Sequence, residues 1–217
     1  MAQTRFLCFF SLDSKFNLKI LFVCLFVCFV LFLCILALRA YLLHITGGRV
    51  LIEKGIKSDN FDIVLLYTVL ILISCVMEEL LFRGYLTRVL STFTTNTWLV
   101  VFFVNVVFAA THIEGRISDT TSWLYLIRVF LLGVAASILV LQTGSLSSAI
   151  GLHFANNMFG YILTPTSNQL SDGTYVFSVH SNLNHFESNL TLIIAYFIMI
   201  VIVGVYIKYW KNIQATA

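Results

Sequence analysis

Glu78-Glu79-Leu80-Leu81-Phe82-Arg83 sets two carboxylates and a guanidinium inside a segment, 61–90, that is otherwise largely apolar. Charge at membrane depth costs several kcal/mol or more, and residues kept there against that cost are rarely idle. Two further patterns of the same kind follow, Phe108-Ala109-Ala110-Thr111-His112 and His153-Phe154-Ala155-Asn156-Asn157. Asp, Glu, Lys and Arg make up only 11% of the chain, against 59% apolar residues. A chain this sparing with charge still places two adjacent Glu, an Arg and two His within apolar segments. That distribution points to a buried polar site with chemistry attached.

The 217 residues contain one Pro and have a mean hydropathy of +0.95, which excludes a soluble globular domain. About 20 apolar residues cross roughly 30 Å of hydrocarbon as a helix. Six such spans are expected, near 18–43, 61–90, 97–113, 122–142, 145–164 and 189–209. The second is long for one crossing and must tilt or extend beyond the bilayer. The fifth holds Ser145, Ser147, Ser148, His153, Asn156 and Asn157, and so persists only when packed inside a bundle. The expected fold is all-α: a polytopic membrane helical bundle of about six transmembrane helices around a buried polar cavity. Residues 1–217 form one membrane-embedded domain, with the catalytic-type core at about 61–164.

Arg5, Lys15 and Lys19 precede the first span, which is too long for a secretory signal and lacks a good cleavage site, so it reads as an uncleaved anchor. Net charge is +3, with basic residues at membrane boundaries rather than in one patch, so no nucleic-acid partner is expected. Those three residues and Lys208 and Lys211 favour cytoplasmic termini, while Arg39, Arg49, Lys54 and Lys57 run against that topology. Four of the five Cys (Cys8, Cys24, Cys28 and Cys34) fall in or before the first span and read as small apolar side chains. Nothing in the sequence marks Cys75 as a nucleophile.

Between the spans, 44–60 reads as a loop with room for a short surface helix from Val50 to Ile56, and 165–188 as the longest loop. Ser91 to Thr97 is a polar turn cluster, and Glu114 to Ser122 is another connection. Gln142-Thr143-Gly144-Ser145 makes a tight turn, with Ser145 as N-cap of the fifth helix.

Helical spacing organises the polar residues. Glu79 and Arg83 are four apart, share a face and form an ion pair. Glu78 points about 100° away and has no local cation, so it is available to accept a proton as a general base. Asn105, Phe108 and His112 fall at i, i+3 and i+7 on one face of the third span. His153 and Asn157 are again four apart and supply donors for an oxyanion or for a positioned water. Asn156, one step displaced, is expected to face a neighbouring helix. Each pattern also has a plain reading, as interhelical hydrogen bonds or a headgroup-level Glu pair.

Taken in order, Glu-Glu-x-x-x-Arg, Phe-x-x-x-His and His-x-x-x-Asn resemble the motifs of the CPBP (CAAX protease and bacteriocin-processing, or Abi) family of intramembrane endopeptidases. The resemblance covers Glu78 to Asn157, roughly the middle third of the chain. It implies glutamate-dependent hydrolysis of a peptide bond within a helical bundle. Glu78 matches the catalytic base, assisted by His112, while His153 and Asn157 match the residues that stabilise the oxyanion. Glu79 and Arg83 match the remaining positions of the first motif. No cofactor or metal is expected, since two His and a weak amide make a poor zinc site and no His-Glu-x-x-His is present. The partners implied are a peptide or protein substrate and the lipid bilayer, with a bacterial plasma membrane as location. The rival is a catalytically silent bacteriocin-immunity or peptide-binding protein, or a small proton-coupled carrier. A carrier would more often show internal repeats, and none is visible.

Overall fold

The computed structural model describes residues 16–45, 50–54, 61–113, 120–163, 177–181, 193–194 and 196–198. In chain order these form α1 (Leu18–Ile45), β1 (Val50–Lys54), α2 (Phe61–Glu79), α3 (Thr87–Phe93), α4 (Thr97–Ala110), α5 (Thr120–Thr143), α6 (Leu146–Met158) and β2 (Phe177–Ser181). A π-helical stretch, Leu80–Leu86, joins α2 to α3, and a second, Phe159–Leu163, follows α6. Among the described residues three helices are long and apolar enough to cross a membrane: Leu18–Leu38, Phe61–Phe93 and Trp123–Thr143. The protein is thus an all-α membrane-associated chain with several long apolar helices, as in a multi-pass membrane protein. The sixth expected span, 189–209, lies almost wholly outside the described residues, as do Arg5, Lys15, Arg49, Lys57, Lys208 and Lys211.

Local chemistry sets the helix ends. The Asn96 side chain accepts from the backbone N–H groups of Trp98 and Leu99 at 3.0 and 3.3 Å, capping α4. α4 is only 14 residues long, or about 21 Å at 1.5 Å per residue. It stops at Ala110 rather than 113, because the N–H groups of His112 and Ile113 turn to carbonyls three residues back. At the end of α5, Gly144 adopts φ 66° and donates to Val140 O at 2.9 Å, a left-handed stop that suits glycine. Ser145 then caps α6, its hydroxyl accepting from Ser147 N at 3.3 Å. The tight turn and its cap agree with the sequence reading.

The chain divides into two compact units. The first includes Glu79–Ala149, and its core is Phe82, Val100, Val104, Phe108, Ala109 and Val129. Val100, Val104 and Phe108 recur every four residues, so they form one stripe of α4, while Phe102, Phe103, Val106 and Val107 on the other side are exposed. Phe82 meets Phe108 edge to face at 5.0 Å, fixing the π-helical stretch against α4.

The second unit includes Leu18–Glu78 and Ile150–Asn182. Here α1 and α6 approach at Gly151, where a Cβ would lie 2.7 Å from Leu21 O and 3.1 Å from Cys24 Cβ. Small residues permit such close helix contact in membranes. Phe32 stacks on Phe159 at 5.4 Å. The surface helix expected over Val50–Ile56 is not formed. Val50–Lys54 is instead a strand, antiparallel to Phe177–Ser181 with Ile52 opposite Val179. The run Val50-Leu51-Ile52 is as suited to a strand as to a helix. The deciding partner comes from the distant segment read as the longest loop.

Candidate functional site

Arg83 joins several segments of the first unit. It is 1% exposed and its guanidinium donates to three acceptors on three segments. Nη1 reaches Glu79 Oε1 at 3.0 Å, and Nη2 reaches Asn105 Oδ1 at 3.0 Å and the Gly133 carbonyl at 3.1 Å. Its Cζ also lies 4.5 Å from the centroid of the Phe108 ring. Asn105 in turn donates to Val101 O and to the Ser137 hydroxyl, at 2.7 and 3.0 Å. The ion pair expected from the four-residue spacing is therefore present, within a network that ties the π-helical stretch to α4 and α5. Gly133 makes room for it, since a Cβ there would run into Asn105 Oδ1 and come within 3.0 Å of Arg83 Nη2.

Glu78 lies in the second unit, and its two oxygens have different neighbours. Oε1 accepts from the Ser74 hydroxyl at 2.9 Å. Oε2 stands 3.9 Å from His153 Nε2. It is shielded from solvent and accepts no hydrogen bond from the described residues, though the side chain as a whole is 30% exposed. A separation of 3.9 Å is an ion-pair distance when the imidazole is charged, but too long for a hydrogen bond. His153 is itself buried. The structure thus brings Glu78 and His153 together within the second unit.

Asn157 follows His153 by one turn, and its amide is engaged at both ends. Nδ2 donates to Cys75 Sγ at 3.4 Å, while Oδ1 accepts from Asn156 Nδ2 at 2.9 Å. Asn156 thus donates to the side chain of its sequence neighbour. An amide nitrogen carries two hydrogens, so one N–H of Asn157 is not committed to Cys75.

His112 belongs to the first unit, just beyond the end of α4. Its Nδ1 lies 2.9 Å from the Phe108 carbonyl and 3.3 Å from Thr111 Oγ1. A carbonyl can only accept, so Nδ1 carries a proton, which makes Nε2 the atom with a lone pair whenever the ring is neutral. The ring packs on Phe108 at 4.8 Å between centroids. The Phe-x-x-x-His spacing thus has a local meaning: the backbone of its first residue orients the ring of its last.

Ser74, Cys75, Asn105 and Gly133 were not singled out as partners from sequence. Ser74 was within reach of the spacing rule that pairs Glu79 with Arg83, since it stands four residues before Glu78. The other three act across helices, where no spacing rule applies. Among the described residues no group of three or more His, Cys, Asp or Glu could hold a metal ion. The donors present suit proton transfer and hydrogen bonding to an oxyanion.

Residues 60–159 match a protein-family model, type II CAAX prenyl endopeptidase Rce1-like. Over that part, the chain is similar to membrane peptidases of the CAAX-protease/Abi type. The matched stretch contains Glu78, Glu79, Arg83, His112, His153 and Asn157. No curated protein and no solved structure gives a significant match to the chain.

Proposed function

We propose that the protein is an intramembrane endopeptidase that hydrolyses a peptide bond with water activated by Glu78. The observation that carries this reading is the pairing of Glu78 Oε2 with His153 Nε2 at 3.9 Å, inside the segment similar to CAAX-type endopeptidases. A carboxylate oxygen without a hydrogen-bond partner can take a proton from water, and the resulting hydroxide attacks the scissile carbonyl. His153 and the uncommitted N–H of Asn157 donate to the tetrahedral oxyanion. The proton held by Glu78 then passes to the leaving amine. His112, with its lone pair on Nε2, keeps the assisting role that the resemblance implies. Glu79 and Arg83 hold the framework and take no proton. No step needs a Lewis acid. The substrate is a peptide or protein presented at the membrane, with prenylated CAAX termini as the first class to try.

The test uses purified protein in liposomes with two fluorescence-quenched peptides, one farnesylated at a C-terminal Cys-aliphatic-aliphatic-X sequence and one apolar and unprenylated. Cleavage of either by wild type, with product masses fixing the bond, is the expected result, and Glu78→Gln should abolish it. If wild type is inert toward both while binding them, the peptide-binding reading replaces the enzyme. Cleavage by the Gln variant at the wild-type rate removes Glu78 as base.

A further inference from the structure

We infer that Ser74 is a positioning residue for Glu78, an assignment that rests on the peptidase reading above. Hydroxyls within these helices usually turn to their own backbone. Thr68 donates to Val64 O at 2.8 Å, Ser91 to Thr87 O at 2.7 Å and Thr143 to Leu139 O at 2.8 Å, each four residues back. That bond satisfies a hydroxyl at membrane depth without help from any other side chain. Ser74 lies on the same helix as Thr68, yet its hydroxyl points the other way along α2 and donates to Glu78 Oε1 at 2.9 Å.

This bond makes the two carboxylate oxygens inequivalent. With Oε1 held by Ser74, Oε2 is the atom that faces His153. An unanchored Glu side chain rotates about three torsions, and a base must hold one oxygen steady toward its water. Anchoring the far oxygen from one turn below fixes that aim without occupying the reacting oxygen. Ser74 touches neither substrate nor water in this scheme. It acts through Glu78.

The bond can be tested without knowing the substrate. A hydrophobic carbodiimide, dicyclohexylcarbodiimide, adds to membrane-embedded carboxyl groups, and adduct at Glu78 is followed by peptide mass mapping in detergent-purified protein. Ser74→Ala frees Oε1 and should raise the labelling rate at Glu78 by about tenfold, the factor expected for losing a hydrogen bond to a charged acceptor. Ser74→Thr restores the hydroxyl and should return the rate to that of wild type. Equal rates in all three proteins would overturn the assignment. With the peptide that wild type cleaves, Ser74→Ala should lower kcat by about tenfold and leave KM unchanged, with Thr restoring kcat. A loss confined to KM, or no rescue by Thr, would show that Ser74 does not aim the base. Inert wild type would overturn the peptidase reading, while the labelling rates would still decide whether Ser74 holds Glu78. Because labelling reports on the bond alone, the two failures are distinguishable.

Discussion

Replacing Arg83 by Ala tests a heavily cross-linked point of the first unit. The substitution leaves Glu79 buried at 0% exposure without its partner at 3.0 Å. It also strips the donor from Asn105 Oδ1 and from the Gly133 carbonyl. Breaking a buried ion pair by removing one member costs about 3–5 kcal/mol, chiefly because the other charge remains buried. The two neutral acceptors belong to the same network, so their losses overlap with that figure rather than adding in full. For a chain of this size each kcal/mol corresponds to about 2–4 °C, so the melting point should fall by roughly 6–20 °C. Arg83→Lys should fall by less, because an ammonium keeps the charge but lacks the fork that reaches Glu79 and Asn105 together. Glu79→Gln with Arg83→Gln removes both charges and should recover much of the loss. The assay is the fraction of detergent-purified protein that still elutes as a monodisperse peak after graded heating. An Ala variant that melts within about 2 °C of wild type would refute the reasoning, because a buried carboxylate cannot lose an ion-pair partner at 3.0 Å at no cost.

Five further outcomes are expected. Glu78→Gln should abolish cleavage with little effect on melting temperature, since the amide keeps the shape and can still accept from Ser74; activity and melting are measured on one sample. Gly151→Ala should destabilise by about 1–3 kcal/mol, its Cβ pressing on Leu21 O at 2.7 Å and on Leu25 N at 3.1 Å. Gly160→Ala, with nothing within 4 Å of the added carbon, should melt at or above wild type in the same experiment. Gly133→Ala should mimic part of the Arg83→Ala loss, and additive melting shifts in the double variant would separate the two sites. Cleavage should survive exhaustive chelation with elemental analysis alongside, whereas loss of activity restored by one equivalent of zinc or cobalt would replace the mechanism and keep the peptidase.

What the sequence revealed follows from which interactions it encodes locally. The Glu79–Arg83 pair and the Ser145 cap each depend on residues within one turn of each other, and both are present. The same spacing rule would have found Ser74. Arg83's bonds to Asn105 and the Gly133 carbonyl span 22 and 50 residues, so they depend on how helices pack, which periodicity does not record. The strand Val50–Lys54 was missed for a related reason. Five residues of mixed propensity take their conformation from a partner, and that partner is more than 120 residues away. The end of α4 shows a third limit. The expected span runs to residue 113, but the helix ends at Ala110, and composition cannot show where a ladder ends.

The wide turn over Leu80–Leu86 has a bearing on engineering. There Thr87 directs both its N–H and its hydroxyl, the latter at 2.8 Å, to the carbonyl of Phe82, five residues back. A transplant of the Glu79-to-Phe93 sequence onto an idealised α-helical scaffold would tighten that ladder by one residue. Every side chain beyond Leu86 would then be turned by about 100° relative to Glu79. Leu90 would leave the stripe it shares with Phe82 and Val104. The motif is therefore not portable as a string of letters. A designer must carry the wide turn with it, or delete one residue and choose again which side chains face inward.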